Sequence, residues 1–326
     1  MKTVKAFGPQ DLRVVDRADP ELGTEDVLVE TRACGICGSD KWFWHVETPS
    51  DYVAGHEAAG VIVRTGAGVT DFKPGDRVAV NNVKGCGECE SCRAGRFVRC
   101  GSAPLVHMGF GFAERMAVPA RNCLPLDPAI DFEQGALLFD NWGTPYAALK
   151  RTRLGAGDSV LVTGCGPIGL ATVALCKARG AVVAAVDPIA ARREAALRLG
   201  ASIAFSPDEA AAGRLREVAG DSGFGYGIDC SGKAASYDLI FEHIAIGGHD
   251  RHDRRRREVP VRLEPSHPQA SHARRVAVFF DGRRRRAAAD GGRGRAGPAR
   301  VRDAPIPSRG PAVRIRQGDG RRRDAA

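Results

Sequence analysis

A short apolar strand, SVLVTG (159–164), runs directly into a glycine-rich turn, GCGPIG, and then into a helix-length segment, PIGLATVALCKARG (167–180). Few folds accept that order. A strand, a glycine turn and a helix in immediate succession open a βαβ unit, and its second strand must lie parallel to the first. The second strand is VVAAVD (182–187). Helix-like and strand-like segments then keep alternating: a helix over 190–199, SIAF (202–205), a helix over 208–219 and YGIDCSG (226–232). Alternation at this spacing predicts a parallel sheet with helices on its faces. Pro167 suits a first helical turn, where its missing amide costs nothing.

The turn also carries chemistry. Gly164, Gly166 and Gly169 allow a tight bend and a close approach to a pyrophosphate, and the helix N-terminus then faces that anion. Asp187 stands eighteen residues after Gly169. An acidic residue there bonds a ribose 2′-hydroxyl and repels a 2′-phosphate, which favours NAD over NADP. Arg192 and Arg193 follow on the next helix and are read as a solvated face that softens this preference only slightly.

Residues 1–152 follow a different pattern. Runs such as VLVET (27–31), AAGVIVRTG (58–66) and DRVAV (76–80) alternate or are β-branched, and Gly, Pro and Asp punctuate them. No long helical period occurs. This predicts a small barrel-like β domain with loops.

Two clusters of soft donors lie in that β-rich part. Cys86, Cys89, Cys92 and Cys100 form C-x2-C-x2-C-x7-C. Four thiolates so close in sequence can close a tetrahedral Zn2+ site with no open position, a structural site contributing roughly 10–16 kcal/mol to folding. CGICGSD (34–40) and GHE (55–57) supply Cys37 and His56, a thiolate and an imidazole of the kinds that Zn2+ prefers. The other cysteines (Cys34, Cys123, Cys165, Cys176 and Cys230) read as buried small hydrophobes.

GHEAAGVIVRTGAGV (55–69) and FKPGDRV (72–78) resemble the signature of zinc-containing medium-chain alcohol and polyol dehydrogenases. The resemblance extends over residues 1 to about 248 and implies two domains: a GroES-like zinc catalytic domain (1–152) and an NAD-binding Rossmann-like domain (153–248). It implies one catalytic and one structural Zn2+, with NAD as cofactor. By the same resemblance Cys37, His56 and Asp140, within LLFDNWGTPYAAL (137–149), are catalytic zinc ligands. Glu57 is an exchangeable fourth ligand, Ser39 begins a proton relay, and Thr144 touches the nicotinamide ring. Family members commonly have His at the position of Trp42, which cannot relay a proton; His45 is its candidate substitute. Trp42 and Trp44 are expected to shape the substrate pocket. The implied reaction moves a hydride from the CH–OH group of an alcohol or polyol to NAD. An acidic third ligand leans toward polyol and threonine dehydrogenases.

The net charge of +9 is unevenly spread. Residues 249–326 hold 22 Arg, no Lys and 9 acidic residues, giving +13, so residues 1–248 carry −4. Only this tail could favour nucleic acid, and no nucleic-acid partner is expected. The chain has no export-type leader and no apolar run of membrane-spanning length, so it reads as a cytoplasmic enzyme of small molecules. After IAIGG (244–248) the βαβ pattern stops, with VAVFF (276–280) the one strand-like run left, and Arg, Ala, Gly and Pro take over. Residues 249–326 are read as a shifted reading frame, with a genuine basic tail as the rival. The Rossmann-like domain would then be incomplete, with an uncovered sheet edge, an irregular tail and no strands for the family's homo-oligomer interface. A non-catalytic zinc- and nucleotide-binding remnant is the alternative to an active enzyme.

Overall fold

The computed structural model describes residues 1–101, 106–107, 110–220, 222–244, 261–262, 277–280 and 312–313. Two compact units result: the first runs Met1–Phe139 and takes in the short strand Ala312–Val313, and the second begins at Asp140. The sequence pattern sets this boundary at 152, thirteen residues later.

The first unit is antiparallel throughout. β1 (Lys2–Gly8) and β2 (Asp11–Asp16) form a hairpin. β3 (Asp26–Gly35) is the spine of the main sheet, followed by the short helix α1 (Lys41–Trp44). β4 (Glu57–Thr65) pairs with β3, and β5 (Arg77–Val80) pairs with β4. β6 (Val83–Lys84) pairs with β7 (Val106–His107) around the short helix α2 (Glu90–Arg93). β8 (Arg115–Pro119) lies on the other side of β3, and β9 (Cys123–Pro125) on β5. The period-2 alternation read from the sequence buries Val27, Val29, Ile62, Val78, Val80, Met116 and Val118 in one cluster. Each such side chain stabilises by about 1.5–3 kcal/mol when taken fully out of water. α3 (Phe132–Ala136) packs on β3, β4 and β5. Asp131 caps it, accepting the Gln134 amide at 2.7 Å.

The second unit starts with α4 (Gly143–Leu149) and carries the parallel sheet. β10 (Ser159–Thr163), α5 (Pro167–Ala178), β11 (Val182–Val186), α6 (Ala190–Arg198) and β12 (Ile203–Phe205) follow in turn. α7 (Pro207–Glu209), α8 (Leu215–Ala219), β13 (Tyr226–Asp229) and α9 (Ala234–His243) complete the alternation. The parallel strands stand in the order β12-β11-β10-β13. Val160 and Val162 of β10 enter one core with Val173, Cys176, Val183 and Ala185. Leu161 enters the opposite core with Ala184, Val186, Phe205, Leu215 and Ile240. Burial on both faces explains why these strands read as continuous apolar runs.

The structure departs from the sequence reading at two places. The single helix expected over 208–219 is broken: Gly213 takes φ +88 and separates α7 from α8 through a wide turn, Ala210–Arg214. The bare edge expected beside β13 is covered. β14 (Val261–Arg262) and β15 (Ala277–Phe280) extend the sheet, and β15 runs antiparallel to β13, from Tyr226↔Phe280 to Asp229↔Ala277. A sheet edge offers unpaired N–H and C=O groups, which an extended segment of either direction can satisfy. Residues 261–262, 277–280 and 312–313 of the expected irregular tail are therefore strand. The rest of 249–326 lies outside the described residues. Among the described residues no helix is long and apolar enough to cross a membrane.

Candidate functional site

The donor atoms of Cys37, His56, Glu57 and Asp140 lie within 4.8 Å of one another. Cys37 comes at the end of the β3 turn and caps the short helical turn Gly38–Asp40. His56 immediately precedes β4, and Glu57, its first residue, is buried. Asp140 sits within a wide helical turn, Leu138–Trp142, directly after α3. That turn continues from α3, and α3 is seated on β3, β4 and β5, which sets Asp140 beside the other three donors. Asp140 is inside the helical turn rather than at a cap. Thr144 on α4 donates its hydroxyl to Asp140 Oδ1 at 3.0 Å. Ser39 Oγ is 3.5 Å from His56 Nε2. A thiol, an imidazole and two carboxylates in one cluster form a donor set suited to Zn2+ with an exchangeable position.

The sulfurs of Cys86, Cys89, Cys92 and Cys100 also lie within 4.8 Å of one another. The lobe is built from local turns. Cys89 caps α2, and its amide donates to Cys86 Sγ at 3.4 Å. That bond pulls the Cys86 thiol down to about 6. Four thiols so placed fit a closed tetrahedral metal site. Away from both clusters, burial pushes Cys123, Cys165 and Cys176 up to about 12.

In the second unit the glycine turn has the expected shape. Gly164 takes φ +82, and Gly166 is the N-cap of α5. A Cβ on Gly169 would collide with the Gly164 carbonyl oxygen, so helix and turn approach at a distance only glycine permits. The Gly164 amide is used by Val186 O (2.8 Å), and the Cys165 amide by Asp187 Oδ2 (2.7 Å). The amides of the first turn of α5 have no intrahelical acceptor and are the donors left for an anion. Asp187 is buried, and its other oxygen accepts the Ile189 amide at 2.8 Å. Arg192 and Arg193 do not form a solvated face. Arg193 donates to the carbonyls of Asp187 (2.8 Å) and Pro188 (2.9 Å), and Arg192 lies 3.9 Å from Asp187 Oδ2. The buried carboxylate and the exposed strand-end carbonyls draw both guanidinium groups back onto β11.

Comparison with known proteins matches residues 23–128 to the alcohol dehydrogenase GroES-like domain and residues 167–249 to the zinc-binding dehydrogenase domain. The chain is 35% identical over 246 residues to L-galactonate-5-dehydrogenase of Escherichia coli K12, covering 74% of this chain and 72% of that protein. It is 34% identical over 259 residues to L-threonine 3-dehydrogenase of Streptomyces coelicolor, covering 75% and 74%. The chain belongs to the zinc-binding alcohol dehydrogenase family.

Two similar solved structures hold a nicotinamide nucleotide. A putative zinc-binding dehydrogenase from Sinorhizobium meliloti bound to NADP matches with a TM-score of 0.64 and 32% identity, over 72% of this chain and 71% of that one. A structure described as a short chain alcohol dehydrogenase from E. coli CFT073, complexed with NADH, matches with a TM-score of 0.62 and 30% identity, over 71% and 69%. The family is zinc-dependent and NAD(P)-linked, and its members act on alcohols and polyols.

Two residues beside the Cys37–His56 donor cluster are missed by the sequence reading. Asp40 is buried, accepts the Cys37 amide at 2.8 Å and faces His56 Nδ1 at 3.3 Å. It holds the loop and the imidazole together, as an outer-sphere carboxylate does at a metal site. Its place three residues after Cys37 was a usable signal. Tyr52 stacks against Trp42 with ring centroids 5.4 Å apart, and burial raises its phenol. No local pattern marks that contact. His45 is exposed at the end of α1, and its ring has no hydrogen-bond partner among the described residues.

Proposed function

We propose that this chain oxidises the CH–OH group of a polyol or another secondary alcohol, with NAD preferred over NADP as hydride acceptor. The observation that carries this reading is the clustering of Cys37, His56, Glu57 and Asp140 within 4.8 Å. Cys37, His56 and Asp140 are read as the ligands of a catalytic Zn2+, with Glu57 as the exchangeable one, and Cys86, Cys89, Cys92 and Cys100 as the ligands of a structural Zn2+. Bound zinc would lower the pKa of the substrate hydroxyl, and the nicotinamide would accept the hydride. The chain's own residues arrange the rest. Asp40 keeps His56 oriented through Nδ1. Thr144 fixes the Asp140 carboxylate from α4. Ser39, next to His56 Nε2, takes up the substrate proton and passes it outward. Trp42, Trp44 and Tyr52 wall the substrate side. Asp187 disfavours a 2′-phosphate, which supports NAD.

The acidic ligand Asp140 supports polyols, sugar acids or 3-hydroxy amino acids as substrates, and two relatives carry names of that kind. The protein is read as cytoplasmic, acting on small molecules and not on nucleic acid, and without the family's homo-oligomer interface. Residues 249–326 are read as a shifted frame. The family match runs to residue 249, and the Lys-free, Arg-rich segment begins there. Translation of the gene's alternative frames past codon 248 tests this, and frames with no continuation of a dehydrogenase would refute it.

The function is tested with the zinc-loaded chain, assayed against polyols, sugar acids, L-threonine and secondary alcohols with NAD and NADP. NAD reduction by at least one such substrate, with two zinc ions per chain, is expected. Two zinc ions with no turnover on any substrate would replace this reading by that of a non-catalytic remnant.

A further inference from the structure

Two carboxylates close on the glycine turn from opposite sides of β10. Asp187, just after β11, accepts the Cys165 amide at 2.7 Å. Asp229, the last residue of β13, is fully buried. Its Oδ1 accepts Thr163 Oγ1 at 2.8 Å, the Ser231 amide at 3.1 Å and Ser231 Oγ at 2.7 Å. Its Oδ2 accepts the Gly232 amide at 2.9 Å. Ser231 Oγ in turn accepts the Lys233 amide at 3.1 Å and shares a hydrogen bond with Ser236 Oγ at 2.8 Å. Every donor to Asp229 therefore comes from the end of β10 or from the loop that follows β13.

That loop presses on the nucleotide turn. A Cβ on Gly164 would lie 2.8 Å from both the backbone nitrogen and the Cβ of Ser231. Gly164 can only sit where Ser231 allows, and Ser231 sits where Asp229 holds it. A buried carboxylate persists only when its lone pairs are met, so the loop and the turn have one mutually satisfied arrangement. We propose that Asp229 is a positioning residue for the dinucleotide: it locks Ser231–Gly232 against Gly164 and so fixes the turn that receives the pyrophosphate. Its oxygens are occupied by the chain's own donors, so it acts through the turn and does not touch the cofactor. Asp187 holds the turn from β11 in the same way, through the Cys165 amide.

The inference rests on NAD(P) being the cofactor, and the experiment separates the two. Asp229→Asn is chosen because its amide places donors against Thr163, Ser231 or Gly232. Thr163→Val is the milder second variant, removing one donor at constant volume. In the zinc-loaded full chain, NAD affinity is read by calorimetric titration and backbone protection by hydrogen exchange. Both variants are expected to bind NAD more weakly, by about tenfold for Asp229→Asn, the effect of one lost buried hydrogen bond. Faster exchange should be confined to 163–169 and 229–233. KM for NAD should rise by the same factor, with kcat at saturating NAD unchanged. Variants that bind NAD as the wild type does, or that lose protection throughout 140–244, would overturn the role of Asp229 alone. A wild-type chain that binds neither NAD nor NADP would overturn the cofactor reading and this inference with it.

Discussion

Asp40 ties two members of the Cys37–His56–Glu57–Asp140 donor cluster together. One oxygen holds the Cys37 amide and the other faces His56 Nδ1, so loop and imidazole share one anchor. Asp40→Asn keeps the shape and removes the charge that favours a metal-facing Nε2. The affinity of the first cluster for zinc should fall about 10–100-fold, while the four-cysteine lobe keeps its metal. Chelator competition that resolves the two sites would check this, and equal losses at both would count against it. Burial separates the cysteines in the same way. After zinc removal, iodoacetamide at neutral pH should label Cys86, held down to about 6 by the Cys89 amide, well before Cys165 or Cys176, which burial pushes up to about 12. Peptide mapping gives the order.

At the scale of the element, α7 shows how a short helix persists between a strand and a break. Ser206 caps it, and Glu209 returns the bond to the Ser206 amide at 2.8 Å. That amide, the largest cause, holds the Glu209 carboxyl below its ordinary value of 4.5. The charged form is favoured by folding, so its contribution is complete above pH about 4.5 and is lost as pH falls through the lower folded value. Glu209→Gln should therefore melt below the wild type at neutral pH, with the gap closing in acid; Tm measured across pH decides it. Such boxes are legible from Ser-x-x-Glu spacing alone. The break that follows was not, because a single glycine is tolerated in a helix and only Gly213's φ of +88 ends this one.

For the whole molecule, the second unit's sheet depends on a strand from beyond the family match. β15 has a neighbour on each side, β13 and β14, so its backbone groups face partners in both directions. Val278→Pro removes an amide from that ladder and should lower the melting temperature of the second unit, leaving zinc content unchanged. Calorimetry with metal analysis would test it. An unaltered melt would mean that β13 is an effective edge.

Features that depend on short spacing are legible in the sequence. The four-cysteine lobe, the Gly164–Asp187 unit, the two-faced apolar strands and the GHE segment are contiguous, and their chemistry follows from residue type and local period. Cys37, His56, Glu57 and Asp140 could be named individually, but their assembly needed α3 seated on β3, β4 and β5 to carry Asp140 to the loop. Only folding brings together the partners that no local pattern marks: Trp42 with Tyr52, β15 with β13, and Asp229 with Thr163. Those contacts pair residues through packing and buried hydrogen bonds, and no periodicity in one stretch of sequence encodes the other.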